Sequence, residues 1–186
     1  MVIWINGAFG VGKTTVARRL AQMCEGAWLF DPEQIGLMLR RVWPERGSSD
    51  FQDLPLWREL TVRTLAAASR TPVTPIIVPM TLVNLDYFEE IIGGLGAQGV
   101  DVRHFTLMAS AATVSSRIRW RLARPASRRW ALGRVEACLA GLAGDRFATH
   151  VWTDARPAAA VARDIMAQVA EGGGPRRSGG RLEPTQ

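Results

Sequence analysis

Apolar positions fall into short continuous runs separated by longer amphipathic stretches, the alternation expected of strands buried on both faces and the helices that cover them. Val2-Ile3-Trp4-Ile5-Asn6, Ala27-Trp28-Leu29-Phe30, residues 75–81, 102–108 and 149–153 read as five strands. Helices are predicted over 15–24, ending near Gly26, over 32–42, ending before Trp43-Pro44, and from Phe51 to about Ser69. Four more follow, from Asn84 to Gly99 and over 111–123, 131–143 and 157–171. Phe88, Ile91, Ile92 and Leu95 recur at helical spacing and are expected in the core, while Asn84 and Ser110 are candidate N-caps. Residues 45–54 are polar and turn-rich and predict a mobile loop over the site described next. The pattern assigns residues 1–171 to one domain and 172–186, rich in Gly, Pro and Arg, to a disordered polar tail.

Between the first strand and first helix lies Gly7-Ala8-Phe9-Gly10-Val11-Gly12-Lys13-Thr14-Thr15. It fits G-x-x-x-x-G-K-[ST], a loop that cradles phosphates, and it sits in the strand–loop–helix context that motif requires. Glycines let the backbone turn tightly and bring its N–H groups against phosphate oxygens, a nest continued by the helix N-terminus. Lys13 can then reach the β- and γ-phosphates of ATP, and the Thr14 hydroxyl can ligate Mg²⁺. All nine residues are therefore candidate nucleotide-binding positions.

Composition sharpens this. Of 23 basic residues only Lys13 is lysine. The one compact ammonium stands where a planar guanidinium, larger and differently forked, would be a poor substitute. A net charge of +6 and pI near 10.8 favour anionic ligands such as nucleotides, and are also compatible with RNA or an acidic membrane surface. Cys24 and Cys138 have neither zinc nor C-x-x-C spacing, so reduced thiols in a cytoplasmic protein are expected. With a strand predicted from residue 2 no signal peptide is expected, and no apolar run is long enough to span a membrane.

Asp31 follows the second strand, at the sheet edge where ligands bind in open α/β folds. It could take the proton of an attacking hydroxyl or hold Mg²⁺ through water. It could equally be only the cap of the helix that opens with Pro32-Glu33-Gln34. Arg40 could meet a bound anion or belong to a solvated face. Phe51 and Trp57 could wall a flat acceptor, with core packing as the alternative. After the third strand, Pro79, Met80 and Thr81 stand where many P-loop enzymes carry a Walker-B Asp, which weakens an ATPase-motor reading. His104 is expected on a strand surface, and Asp154 as the cap of the last helix. Seven arginines lie within residues 117–134 with no acid between Asp101 and Glu136. Arg117 and Arg121, at i,i+4, could belong to a lid over the transferred phosphoryl group. The alternative is a solvated basic face or an RNA-binding patch.

The chain resembles the tunicamycin-resistance ATP-binding protein family, among P-loop small-molecule kinases such as chloramphenicol phosphotransferase. The match runs through residues 3–10 with Gly12-Lys13-Thr14, then Asp31-Pro32-Glu33, and Phe51-Gln52 with Pro55-Leu56-Trp57-Arg58. It continues through residues 77–81, residues 104–110 and Thr153-Asp154. The resemblance implies a P-loop kinase fold with a five-stranded parallel sheet and an Arg-bearing lid. It also implies resistance to uridine-type nucleoside antibiotics, here by phosphorylation of a drug hydroxyl. In chloramphenicol phosphotransferase the Asp after strand two is the general base, and Asp31 matches it. The family pattern continues into a longer C-terminal extension with membrane association. This chain has a short polar tail there, so no stable membrane insertion is expected.

The expected protein is thus a cytoplasmic kinase, monomer or homodimer, that uses ATP and Mg²⁺ and needs no nucleic acid. Lys13, Asp31, Arg117 and Arg121 are its candidate catalytic residues. Asp31, Arg40, Phe51, Trp57 and Met80 form the acceptor side, and Thr14 and Asp31 the metal side. Sequestration of the drug without chemistry, a nucleoside or nucleotide kinase, and RNA binding are the competing readings.

Overall fold

The computed structural model describes residues 1–43, 50–72, 75–121 and 125–172; residues 45–49 of the loop predicted over 45–54, and the tail beyond Gly172, lie outside them. Five strands form one parallel sheet in the order β2-β3-β1-β4-β5. They are β1 (Val2–Gly7), β2 (Trp28–Leu29), β3 (Ile76–Pro79), β4 (Val102–Met108) and β5 (His150–Trp152). β1 is central and buried throughout. Val2 and Trp4 face one apolar cluster, Ile3 and Ile5 another, as period-two alternation requires.

On the Trp4 side pack α2 (Glu33–Val42), α3 (Pro55–Ala68) and a helical run from α4 (Leu85–Phe88) to α5 (Gly94–Ala97). On the Ile3 side pack α1 (Lys13–Met23), α6 (Ala111–Arg121), α7 (Pro125–Leu132) and α9 (Ala158–Ala170), while α8 (Val135–Leu142) reaches both clusters, Val135 on the Ile3 side and Cys138 and Leu142 on the Trp4 side. Phe88, Ile91, Ile92 and Leu95 are core, and Asn84 caps α4 by accepting from the Asp86 and Tyr87 amides. Among the described residues no helix is long and apolar enough to cross a membrane. Cys24 and Cys138 are both free thiols.

Three boundaries differ from the sequence reading. The helix predicted to open at Phe51 is a short 3₁₀ turn, Phe51–Asp53, followed by α3 from Pro55. Pro55 is the reason: its ring disfavours helical backbone at Leu54, which is extended at φ −79°, ψ 114°. The helix predicted over 84–99 carries a π turn at Glu89–Gly93. The helix predicted over 131–143 begins only at Val135, as α8, and α7 (Pro125–Leu132) precedes it; the two part at Gly133-Arg134, where the Arg134 guanidinium lies 4.5 Å from the Trp130 ring centroid.

Because every strand is parallel, the P-loop after β1, Asp31 beyond β2, residues 80–82 after β3, Ser110 beyond β4 and Thr153-Asp154 after β5 gather along one sheet edge.

Candidate active site

The P-loop needs its glycines for two different reasons. Gly7, Gly10 and Gly12 all have left-handed φ, at 140°, 82° and 115°. At Gly7 a Cβ would also lie 2.7 Å from the Leu107 carbonyl oxygen, and at Gly10 2.6 Å from Ile118 Cγ1. At Gly12 a Cβ would meet nothing within 4 Å, so only backbone conformation demands glycine there. Gly12 precedes α1, which has no side-chain cap and no acid in its first turn. A helix start with uncapped amides and a positive dipole end fits a phosphate, so the cradle suits a nucleotide. Lys13 Nζ folds back over the loop, donating to the Gly7 and Ala8 carbonyls at 2.9 and 3.0 Å. Thr14 is half-buried at the helix start and Thr15 exposed. Among the described residues no three His, Cys, Asp or Glu side chains converge. A Mg²⁺ ion would therefore be held mainly by Thr14 and phosphate oxygens, the usual arrangement for a hard ion that dehydrates reluctantly.

Side chains that the sequence reading passed over fix the cradle from behind. Asn6, fully buried, bonds Leu82 in both directions at 2.9 Å and accepts from the Gly7 amide at 2.8 Å. Thr81 Oγ1 donates to the Gly7 carbonyl at 2.9 Å. The segment that lacks a Walker-B Asp thus serves as a brace. A polar residue ending a buried apolar strand was the available signal for Asn6.

Asp31 stands just before Pro32, the N-cap of α2, and still ties the helix start: its Oδ1 accepts from the Glu33 amide at 3.0 Å, while Oδ2 has a 3.5 Å contact with Gln34 Nε2. The tie occupies one carboxylate oxygen and leaves the other to a long, weak contact, so holding the helix start and proton acceptance are compatible.

The acceptor-side residues divide. Phe51 is half-buried, with the Arg40 guanidinium 5.5 Å from its ring centroid, and it lies so close to α2 that a Cβ on Gly36 would meet it at 2.5 Å. Trp57 and Met80 are core, 0% and 3% exposed, and offer a substrate no surface here. For Trp57 this is the core-packing alternative. Trp57 instead donates its indole N–H to the Pro32 carbonyl at 2.9 Å and packs against Phe51 with ring centroids 5.1 Å apart. Arg58 is 7% exposed and donates to the Gln52 carbonyl, pairs with Glu90 and lies 4.2 Å from the Tyr87 ring centroid. Gln52 Nε2 donates to the Thr81 carbonyl at 3.1 Å. The chain of contacts runs from Asp31's neighbour to the brace behind the P-loop.

On the other flank, Arg117 donates to the Val11 carbonyl at 2.8 Å, the Thr153 hydroxyl at 3.0 Å and the Thr153 carbonyl at 2.8 Å. It ties the P-loop to the end of β5, and its guanidinium is engaged by protein acceptors. Arg121 ends α6, and its side chain lies outside the described residues. Phe9 meets Trp130 of α7 edge-on, centroids 5.1 Å apart, which seats the arginine-rich helices on the P-loop.

Asp154 does not cap the last helix, whose N-cap is Pro157. It accepts from the hydroxyls of Thr113 and Ser110 and from the Ser110 amide, pinning the start of α6. Those hydrogen bonds, from Thr113 first, hold its carboxyl below the ordinary aspartate range. Ser110 does cap α6, accepting from the Thr113 amide at 3.2 Å. His104 is buried, against the expectation of a surface position; it packs edge-on to Phe88 and contacts the Ala148 carbonyl at 3.3 Å.

Comparison with known proteins agrees with this geometry. The AAA domain family matches residues 2–144. No curated protein matches the sequence. Among solved structures, the Deinococcus radiodurans tunicamycin resistance protein is 39% identical with TM-score 0.79, the alignment covering 90% of this chain and 94% of that one. A Sinorhizobium meliloti gluconokinase (19% identity, TM-score 0.65, 91% of each chain) shares the fold. So does an Acinetobacter baumannii shikimate kinase (17% identity, TM-score 0.61, 92% of this chain and 93% of that one). With its five-stranded parallel sheet and P-loop, the chain belongs to the AAA domain family and, within it, to the tunicamycin-resistance group of P-loop kinase-like proteins.

Proposed function

We propose that the protein is an ATP- and Mg²⁺-dependent phosphotransferase that inactivates a uridine-type nucleoside antibiotic by phosphorylating one of its hydroxyls. What carries the reading is the placement of the lysine-bearing cradle and Asp31 on one edge of the sheet, in a chain 39% identical to a tunicamycin resistance protein.

In this reading the P-loop amides and Lys13 grip the triphosphate, and Thr14 holds Mg²⁺, with Asp31 near it through water. Bound Mg²⁺ supplies charge neutralisation on the phosphate oxygens. Lys13 exchanges its contacts with the Gly7 and Ala8 carbonyls for phosphate oxygens, charge-assisted bonds stronger than those to neutral carbonyls. Asp31 Oδ2 accepts the hydrogen bond of the acceptor hydroxyl and takes its proton as the acceptor oxygen bonds to the γ-phosphorus and the bond from that phosphorus to the β,γ-bridging oxygen breaks, releasing ADP. Phe51 and Arg40 border the acceptor. Trp57, Arg58 and Gln52 hold the Asp31 segment in register with the P-loop. Arg121 covers the phosphoryl group, while Arg117 acts as a strut between P-loop and β5. Since the transition state is loose, positioning and charge stabilisation contribute more than the base does.

The test is drug tolerance in cells expressing wild type, Lys13→Ala or Asp31→Asn at matched protein levels. Both variants should lose protection. An Asp31→Asn protein that binds ATP and drug normally and still protects would remove the base assignment.

A further inference from the structure

A cavity of about 550 Å³ adjoins the cradle between α6 and α9, lined in part by Val11, Val16, Trp120, Thr153 and Val161. In the nucleotide reading it receives the base. Its large polar side chains are committed within the protein. Arg117 is engaged by Val11 and Thr153, and Arg156 donates to the Trp152 carbonyl and pairs with Asp164. The Thr153 hydroxyl is already Arg117's acceptor. Small hydroxyls remain at Thr15 and Ser116, and a hydroxyl rotates to donate or accept as its partner requires. Trp120 stands apart. It lines this cavity one helical turn beyond Arg117, yet is 90% exposed, more than any other large apolar side chain among the described residues. Such an indole gains nothing in the ligand-free chain, whereas a flat ring laid on it would remove apolar area from water.

We propose that Trp120 is the nucleobase platform and that the base is recognised by its face rather than its edge, so that adenine and guanine triphosphates are accepted nearly alike. The proposal rests on the nucleotide-binding reading above. Stacking tolerates any base because every base presents a π-face. Strong discrimination needs fixed hydrogen-bonding groups left unpaired by the wrong ligand, and the guanidiniums that could supply them are spent on the protein.

Calorimetric titration of the full chain with ATP, GTP and inorganic tripolyphosphate, each with Mg²⁺, tests it. Wild type should bind ATP and GTP within about tenfold of each other. Trp120→Ala should weaken both by roughly ten- to a hundredfold and leave tripolyphosphate within about twofold, and Trp120→Phe should stay within about threefold of wild type. ATP affinity unchanged in Trp120→Ala, an equal loss for tripolyphosphate, or GTP more than about tenfold weaker than ATP would each overturn it. ATP binding lost in Lys13→Ala but intact in Trp120→Ala overturns the platform alone. No ATP binding by wild type removes the nucleotide reading and the platform with it.

Discussion

The two flanks of the P-loop are built from different materials. In the proposed reading the donor side would grip with main chain: left-handed glycines, uncapped amides and one ammonium, with few side chains whose identity matters. The acceptor side is built from buried side chains that hold one another, Trp57 to Pro32, Arg58 to Gln52 and Glu90, and Gln52 to Thr81. The teaching is that substitutions on the two sides should fail differently. Donor-side changes should remove binding and spare the fold, whereas acceptor-side changes should loosen the fold and spare nucleotide affinity.

The largest effect belongs to Lys13→Ala. Turnover should fall by about 10²–10³-fold or more, with Tm nearly unchanged, because the loop whose Gly7 and Ala8 carbonyls Lys13 bonds is also braced by Asn6 and Thr81. A large drop in Tm with intact ATP binding would erase the contrast. Next comes Asp31→Asn, which keeps an oxygen for the Glu33 amide and so keeps the helix start. A loss of about 10²-fold in kcat, with ATP affinity and Tm unchanged, separates base from helix tie. Asp31→Ala should add a stability loss of about 1 kcal/mol, measurable by urea denaturation.

Arg58→Ala sharpens the other half. It breaks an ion pair buried on the arginine side but half-exposed at Glu90, so about 2 kcal/mol is expected, or roughly 4–8 °C in Tm, with ATP affinity held within a factor of about two. The smallest effect is at Asp154, whose folded pKa lies below its ordinary value of 3.8. A lowered folded pKa stabilises the protein above the unfolded value, and the contribution fades as pH falls through the folded one. The stability gap between wild type and Asp154→Asn should therefore be present at neutral pH and close below about pH 4. A gap that persisted in stronger acid would assign the effect to packing rather than charge.

The same division explains what could be read from the chain. The P-loop, the five strands and the caps at Asn84 and Ser110 depend on residues within a few positions of one another, and each was legible. Asp154 resembled a cap because Pro157 follows closely, yet its partners are 41 and 44 residues earlier, at Thr113 and Ser110. Trp57 looked like a stacking wall since an aromatic near a loop suits either role, and only the fold puts Pro32 beneath its N–H. Arg58 carried no local sign that it would be buried, because its acid partner is 32 residues away. The break before Pro55 was legible in principle from the restriction proline places on Leu54. For Arg117, helical spacing could not say that protein carbonyls would engage it.

The mass of the drug is the most direct arbiter. Uridine antibiotics incubated with ATP, Mg²⁺ and purified protein, then recovered and weighed by mass spectrometry, should include one that has gained a single phosphoryl group, with no gain when Lys13→Ala replaces wild type. Drug recovered bound to wild-type protein at its original mass would contradict phosphoryl transfer and leave a binding protein in its place.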